Sequence, residues 1–406
     1  MATLSRDVID YIEVPAHVPP HLVREFDYLG CPPEQYVVDF WKSLHDGPDI
    51  FFTPCNGGHW VMTRFDDVAE MLTDWRRFSS RFVNVPKSGV PEALPIIGTD
   101  PPLHTDYRRL VAPFFSPKAI RDLEVRAREL TLQMLDRFEH RGECDFTAEF
   151  ALRMPIGIFM SLMDLPEEDR EELLVIANQV IHGETSALRM EGFRKAYAYL
   201  DDVVVARREK PGEDVLSALI KGRIDGGRAM THQELLDAGA LLLAAGLDTV
   251  AGMMGWIMLF LARNEGHRRR LVANPAEIPS AIEELMRVHS SANNARLVTE
   301  DLTFKGVAMK AGDMVLASTS LAGIDERHYP DPLTVDFDRA DKRSLIFGRG
   351  PHQCIGAYLA RTELRVFLKE WLARIPDFAI APGKAPRMAS GSANTVHYLP
   401  LVWPVA

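Results

Sequence analysis

Hydrophobic residues recur every three to four positions over Pro117 to Glu139, Glu167 to His182, Ala187 to Glu209, Thr231 to Arg263, Pro279 to His289 and Ala357 to Arg374. That spacing predicts amphipathic helices. The fourth segment differs from the others. After Thr231-His232-Gln233-Glu234, which has the form of a capping box, Leu235 to Ala262 continues almost without polar interruption. It predicts a deeply buried helix that, at about 1.5 Å per residue, would run ~45–50 Å and cross a whole domain. Strand signals are confined to two regions. Asp49 to Thr53 and His59 to Thr63 flank the turn residues Cys55-Asn56-Gly57-Gly58 and predict a hairpin. Leu302 to Ala317 reads as strands punctuated by Lys305-Gly306 and Ala311-Gly312-Asp313. Between Val83 and Pro102, five prolines (Pro86, Pro91, Pro95, Pro101 and Pro102) exclude a regular helix and predict a long loop, of the kind that often forms a lid or binding element. The pattern as a whole predicts a mainly α protein, a large helical bundle with a small β-rich region.

Composition narrows the classes open to such a bundle. No Gly/Ser linker, charge block or repeat divides the 406 residues, so the chain reads as a single domain, 1–406. A net charge of -11 argues against general nucleic-acid binding, because a polyanion would be repelled. The cysteines Cys31, Cys55, Cys144 and Cys354 lie far apart, with neither a zinc-binding pair nor a disulfide framework, which fits a reducing cytoplasm. Met1 to Pro20 lacks the apolar core of a signal peptide or anchor. Asp237 and Asp248 interrupt the long apolar helix, and an unpaired carboxylate in lipid is costly, so a membrane span is disfavoured.

Two short segments carry chemistry that packing alone does not explain. Cys354 stands in Phe347-Gly348-Arg349-Gly350-Pro351-His352-Gln353-Cys354-Ile355-Gly356, directly before the helical stretch that begins at Ala357. Unpaired N–H groups and the positive dipole end at that helix start favour a thiolate, so Cys354 is expected to ionise readily and to suit a metal. Gly350 and Gly356 remove side chains where the backbone turns, and Phe347 is placed to keep water from the sulfur. An arbitrary cysteine is more often a small buried hydrophobe, but one without this surrounding pattern. The second segment, Ala245-Gly246-Leu247-Asp248-Thr249, sets an acid and a hydroxyl within the apolar helix. Taken singly, Thr249 would bond back to the carbonyl one turn earlier and Asp248 would satisfy a buried arginine.

Phe347-x-x-Gly350-x-His352-x-Cys354-x-Gly356 is the haem-binding signature of the cytochrome P-450 superfamily, and the chain resembles that family from roughly Asp49 to its end. The resemblance implies the cytochrome P-450 fold and heme b (iron protoporphyrin IX), with Cys354 as the axial ligand and Ala245, Phe347, Gly348 and Gly356 beside the cofactor. A thiolate ligand pushes electron density to the iron and favours O–O cleavage. By the same resemblance Asp248 relays protons and Thr249 hydrogen-bonds the oxygen being cleaved. His104, Arg108, Arg296 and His352 match positions that pair with the haem propionates. Glu284 and Arg287 form the family's Glu-x-x-Arg pair, with Arg339 the candidate to complete it.

The segments Leu241 to Val250, Gly323 to Arg327, Leu368 to Phe378 and Leu399 to Trp403 look like the bacterial camphor-hydroxylating branch. That implies a soluble, cytoplasmic monomer fed by a [2Fe-2S] ferredoxin and an NADH-dependent ferredoxin reductase, without membrane or nucleic-acid contact. Arg76, Arg77, Arg108, Arg109, Arg349, Arg361 and Arg365 are the candidates for a basic docking patch, although solvated helix faces explain several of them equally well. Leu241, Ala244, Ala245, Ala292, Ser392 and Ala393 fall at pocket positions. The camphor enzyme presents a tyrosine hydroxyl from its lid loop, and no tyrosine occurs between Val83 and Pro102. A roomy apolar cavity then favours a terpenoid or norisoprenoid ketone, ionone-like or camphor-like, held by burial. The expected activity is O2-dependent hydroxylation of a small hydrophobic molecule. The alternatives are a peroxygenase using hydrogen peroxide and a non-catalytic haem-thiolate sensor, and the Asp248-Thr249 pair argues against both.

Overall fold

The computed structural model of the chain describes residues 10–87, 93–182 and 186–405. Pro91 and Glu92 of the proline-rich stretch lie outside the described residues, as do the first nine of the chain. In chain order the helices are α1 (Val37–Lys42), α2 (Phe65–Thr73), α3 (Leu103–Val111), α4 (Pro117–Phe138), α5 (Arg153–Met163), α6 (Arg170–His182) and α7 (Ser186–Glu209). They continue with α8 (Val215–Lys221), α9 (His232–Arg263), α10 (Glu265–Ala273), α11 (Ile278–Val288), α12 (Thr319–Gly323) and α13 (Ala357–Arg374). The first strands are β1 (Ile50–Thr53), β2 (His59–Met62), β3 (Phe78–Ser79), β4 (Glu143–Asp145) and β5 (Asn293–Val298). The rest are β6 (Leu302–Phe304), β7 (Val307–Met309), β8 (Met314–Ser318), β9 (Ala379–Ile380), β10 (Arg387–Ala389), β11 (Thr395–Tyr398) and β12 (Pro400–Val402).

Every helix expected from periodicity is present, and so are both strand regions. The helices not foreseen, α1, α2, α5, α8, α10 and α12, are short or lack an amphipathic pattern. In α5 nearly every side chain from Met154 to Met160 is buried, so no polar face marks it. The strands β9 to β12 are two to four residues long, too short for alternation to register. The main sheet has the order β1-β2-β8-β5-β3, with β2 and β8 parallel and the other pairs antiparallel. Between β6 and β7, Lys305 (φ 49°) and Gly306 (φ 85°) close the hairpin in the left-handed region, which glycine tolerates without strain.

Helix α9 starts where the capping box does: Glu234 N–H donates to Thr231 Oγ1 (3.2 Å) and Thr231 N–H to Glu234 Oε2 (2.6 Å). Tyr107 and Arg228 also donate to Glu234, and the guanidinium holds its carboxyl down at about 2. The helix packs on α5, α7, α11, α13 and β11. Its burial is not uniform, contrary to expectation. Leu241, Leu242 and Ala244 are half-buried and Ala245 and Gly246 exposed, whereas Val250 to Leu259 are buried throughout. Small side chains at Ala244 to Gly246 leave open the space that larger ones fill elsewhere. Within the same core, a group of aromatic rings joins α13 to the segment before α5. Phe146 stacks on Phe150 (5.4 Å between centroids) and both meet the edge of Trp371 at 5.2 and 5.6 Å. Each such ring contributes roughly 1.5–3 kcal/mol by burial.

The stretch from Ile324 to Gly356 has almost no regular structure, and a buried ionic network sets its course. Arg287 on α11 makes a two-pronged pair with Glu284, Nε to Oε2 and Nη2 to Oε1, both 2.8 Å, with neither side chain exposed. Arg339 reaches the same carboxylate through Nε (3.0 Å). The two guanidiniums then bind the carbonyls of Gly323, Pro330, Asp331, Pro332 and Thr334. Removing one partner leaves a buried uncompensated charge, which costs about 3–5 kcal/mol. Arg287→Met is therefore expected to lower unfolding stability by ~3–5 kcal/mol, measured by urea denaturation.

Glu363 on α13 is buried, and its Oε2 has no partner among the described residues. Burial pushes its carboxyl up from the usual 4.5 to about 8. Between those two values the unfolded chain has lost the proton that the folded chain keeps. The stability present below pH 4.5 therefore declines as pH rises towards 8, by up to about 1.4 kcal/mol per pH unit. Glu363→Gln removes that decline. Thermal melts should show the variant's advantage over the parent growing from about pH 5 to about pH 8.

Candidate active site

The segment bearing Cys354 folds back on itself before α13 begins. Gly348 N–H donates to the Leu345 carbonyl (2.7 Å) and Cys354 N–H to the Phe347 carbonyl (2.8 Å). Gly350 takes φ 74°, and a Cβ there would lie 2.9 Å from the Leu72 carbonyl and the Thr73 Cα at the end of α2. Only glycine satisfies both conditions. Gly356 does not follow the same logic. Its φ is -84°, and a Cβ would meet Cys354 Sγ and Phe115 at an ordinary 3.9 Å, so neither turn nor crowding requires glycine there. Phe347 is half-buried, with the Arg361 guanidinium 4.5 Å from its ring centroid.

Cys354 does not ionise as readily as its place before a helix suggests. Its side chain is open on one side, yet burial pushes the thiol up, against the opposing pull of the Gly356 amide and the charges of Arg108 and Arg361. Desolvation outweighs the helix start. A metal ion bound at the sulfur reverses that balance, since coordination deprotonates a thiol outright.

Around this loop α3 and β5 deliver a cluster of nitrogen donors. The rings of His104 and His352 lie 3.9 Å apart, and each has a buried Nε2 without a hydrogen-bond partner among the described residues. Arg108 Nη1 donates to the Gln353 carbonyl (2.8 Å), and Arg296 Nη1 to the Ala295 carbonyl (2.8 Å). Neither guanidinium has a carboxylate at ion-pair distance among the described residues. Burial, aided by the arginine charges, holds His104 down at about 4 and His352 at about 2, so both are neutral near pH 7. Burial also lowers Arg296 to about 10, with the charge of Asp100 acting the other way. The arginines thus supply the charge and the histidines supply N–H donors, instead of four cations acting together. Buried positive charge with unfilled donor capacity suits the two carboxylates of a haem, and the open sulfur suits its iron.

Asp100 had not been singled out in the sequence. It accepts from Ser79 Oγ and from Ser80 N–H (3.0 Å), and its carbonyl accepts from the His104 N–H in the first turn of α3 (3.1 Å). The Asp-Pro-Pro ahead of a helix was the available signal, and its long-range partners could not be read from it.

On α9 the hydroxyl keeps its simplest reading and the acid does not. Thr249 does donate back to the Ala245 carbonyl (2.9 Å). Asp248 satisfies no arginine: its Oδ1 is buried without a partner among the described residues, and burial alone pushes its carboxyl up to about 7. Of the pocket candidates, Leu241 and Ala244 are half-buried and Ala245 exposed, while Ala292 and Ala393 pair across an antiparallel bridge next to the exposed Ser392. The structure so gathers His104, Arg108, Arg296, His352 and Cys354 in one place, and sets Asp248 and Thr249 on the helix that packs against α13.

Of the seven arginines considered for a docking patch, Arg77 pairs with Asp74 and Glu70, Arg109 with Asp106, Arg361 with Glu283 and Arg365 with Glu124. Arg76 and Arg349 are exposed and, among the described residues, free of carboxylate partners.

A family model described as Cytochrome P-450 matches residues 278–388. The chain is 35% identical over 416 residues to the probable cytochrome P-450 127A1 of Sinorhizobium fredii, covering 99% of this chain and 100% of that protein. It is 36% identical over 357 residues to the mycinamicin IV hydroxylase/epoxidase of Micromonospora griseorubida, covering 85% of this chain and 89% of the relative. The solved structure of CYP101J2 superposes with a TM-score of 0.89 at 37% identity, over 97% of this chain and 100% of the other. That of CYP101C1 gives 0.89 at 35% identity over the same shares. Likeness in sequence and fold over nearly the whole length, with a site that fits the cofactor, places the chain in the cytochrome P-450 superfamily as a haem b monooxygenase.

Proposed function

We propose that this monooxygenase hydroxylates a small terpenoid or norisoprenoid, with electrons from a [2Fe-2S] ferredoxin that an NADH-dependent reductase keeps reduced. The observation that carries the site assignment is the convergence of unpaired Arg108 and Arg296, neutral His104 and His352, and the open Cys354 sulfur. When bound, haem supplies the iron at which dioxygen is reduced and its O–O bond broken. Cys354 would hold that iron through Sγ, on the loop where the Phe347 ring lies under the Arg361 guanidinium. Arg108 and Arg296 would give charge-assisted bonds to the two propionates, and the Nε2 atoms of His104 and His352, free among the described residues, would add donors.

Asp248 keeps a proton on a carboxyl lifted to about 7, so it both takes up and releases one near neutrality. Thr249 donates its hydroxyl proton to the Ala245 carbonyl, which fixes Oγ1 and leaves its lone pairs free to accept a hydrogen bond. The substrate is held by burial against Leu241, Ala244, Ala245, Ala292, Ser392 and Ala393, of which all but Leu241 are small and leave room for a bulky ring system. Arg76 and Arg349 offer unpaired positive charge on the side of the Cys354 loop, because Gly350 seats that loop on the end of α2. An acidic ferredoxin fits that surface despite the negative net charge.

Replacement Cys354→Ser is expected to abolish the long-wavelength Soret band of the reduced carbon monoxide adduct while haem content falls. Retention of that band would remove the thiolate assignment. For Thr249→Ala, turnover with ferredoxin, reductase and a terpenoid that raises the high-spin fraction should lose product by ~10²-fold or more while NADH oxidation continues and hydrogen peroxide accumulates. Unchanged product per NADH would count against the pair.

A further inference from the structure

Asn394 is 2% exposed and uses every hydrogen-bonding position of its amide. Its Oδ1 accepts from Trp41 Nε1 and from Gly391 N–H, both at 3.2 Å, and its Nδ2 donates to Ser320 Oγ (2.7 Å) and to the Ser290 carbonyl (3.3 Å). Its backbone adds two more bonds: N–H to the Ser291 carbonyl (2.7 Å), and Trp256 Nε1 to its own carbonyl (2.9 Å). One residue therefore ties together α1, α9, α12 and the connection between α11 and β5.

The loop just before it, Gly391 to Ala393, forms no strand of its own. Asn293 holds it from the other side, donating through Nδ2 to the Gly391 carbonyl (2.9 Å) and through N–H to the Ser392 carbonyl (2.8 Å). Asn293 Oδ1 in turn accepts from Ser318 and Ser320, so the two amides meet at Ser320 Oγ. Helix α9 sits directly on this hub: a Cβ on Gly252 would lie 3.2 Å from the Asn394 carbonyl and 3.1 Å from Thr395 Cγ2. The exposed face of α9 at Ala245 lies two helical turns earlier, and the loop presents Ser392 and Ala393 beside Ala292.

We infer that Asn394 is the positioning residue that fixes the Ala292 and Ala393 wall of the substrate cavity against α9, and so sets which ligand sizes the cavity admits. This rests on the reading above that those alanines line the cavity. A fully satisfied buried amide specifies one loop position, where an apolar residue leaves several.

The test uses the haem-loaded full chain and two iron-binding probes read by the Soret shift: imidazole, which reports access to the iron, and 4-phenylimidazole, which also meets the wall. In Asn394→Ala the ratio of the two dissociation constants should change by about five-fold or more with imidazole affinity held within about two-fold, the larger change being close to 1 kcal/mol of selectivity. Trp41→Phe removes only the Nε1 donor and should move the ratio in the same direction by a smaller factor. It carries the test where the alanine variant fails to fold. Ala393→Leu separates the two readings. If it shifts the ratio and neither other variant does, the positioning role is overturned while the cavity assignment stands. If Ala393→Leu is also without effect, the wall lies elsewhere and both fail. Parallel loss of both affinities in a folded Asn394→Ala protein would mark Asn394 as merely structural.

Discussion

Between α12 and α13 the chain crosses more than thirty residues with little backbone hydrogen bonding of its own, and this is the stretch that carries the cysteine. Its path is dictated by one carboxylate, Glu284, gripped by Arg287 and Arg339. Three charges are stable at such depth because all five guanidinium protons of Arg287 and four of the five of Arg339 find an oxygen, either on Glu284 or on a nearby carbonyl. The Asp336 amide also donates to the Glu284 carboxylate (3.0 Å), so the network reads the backbone itself. Everything downstream inherits this placement: the loop seated on α2 through Gly350, the sulfur at its end, and the helix that continues from it.

The same economy of charge shapes the cofactor region. The protein carries a net -11 overall, yet the charges that act on Cys354 are those of Arg108 and Arg361, and neither Arg108 nor Arg296 has a carboxylate at ion-pair distance among the described residues. Burial drives the two histidines neutral, so the positive charge rests on Arg108 and Arg296 alone. Two guanidiniums match the two carboxylates of a haem, and neutral imidazoles add donors without further repulsion. On α9 the logic is reversed. An acid is buried without a counter-charge among the described residues, and desolvation brings its pKa close to neutrality, where its proton is labile.

The buried amides of Asn293 and Asn394 do for the Gly391 to Ala393 loop what the arginines do for the cysteine loop. In both places irregular backbone is held by buried polar side chains with most of their hydrogen-bonding capacity filled. Regular elements supply the frame; polar side chains settle the loops.

By itself the sequence determined what is written locally. The long helices, the capping box that starts α9, the hairpins and the cysteine loop all depend on residues within one or two turns of each other. So does the pairing of Glu284 with Arg287, three positions apart on one helix face. Tertiary structure alone decided what depends on distance and burial. It closed the ionic network with Arg339, brought His104 and Arg296 to His352, and linked Asn394 to Trp41 and Ser320. It also reversed the expectation for Cys354: a helix start lowers a thiol's pKa locally, but desolvation is set by everything packed around the sulfur, and here it prevails. The short helices and strands were illegible for a related reason. Over a few residues neither period is expressed, and such elements exist because neighbours from distant parts of the chain bury them.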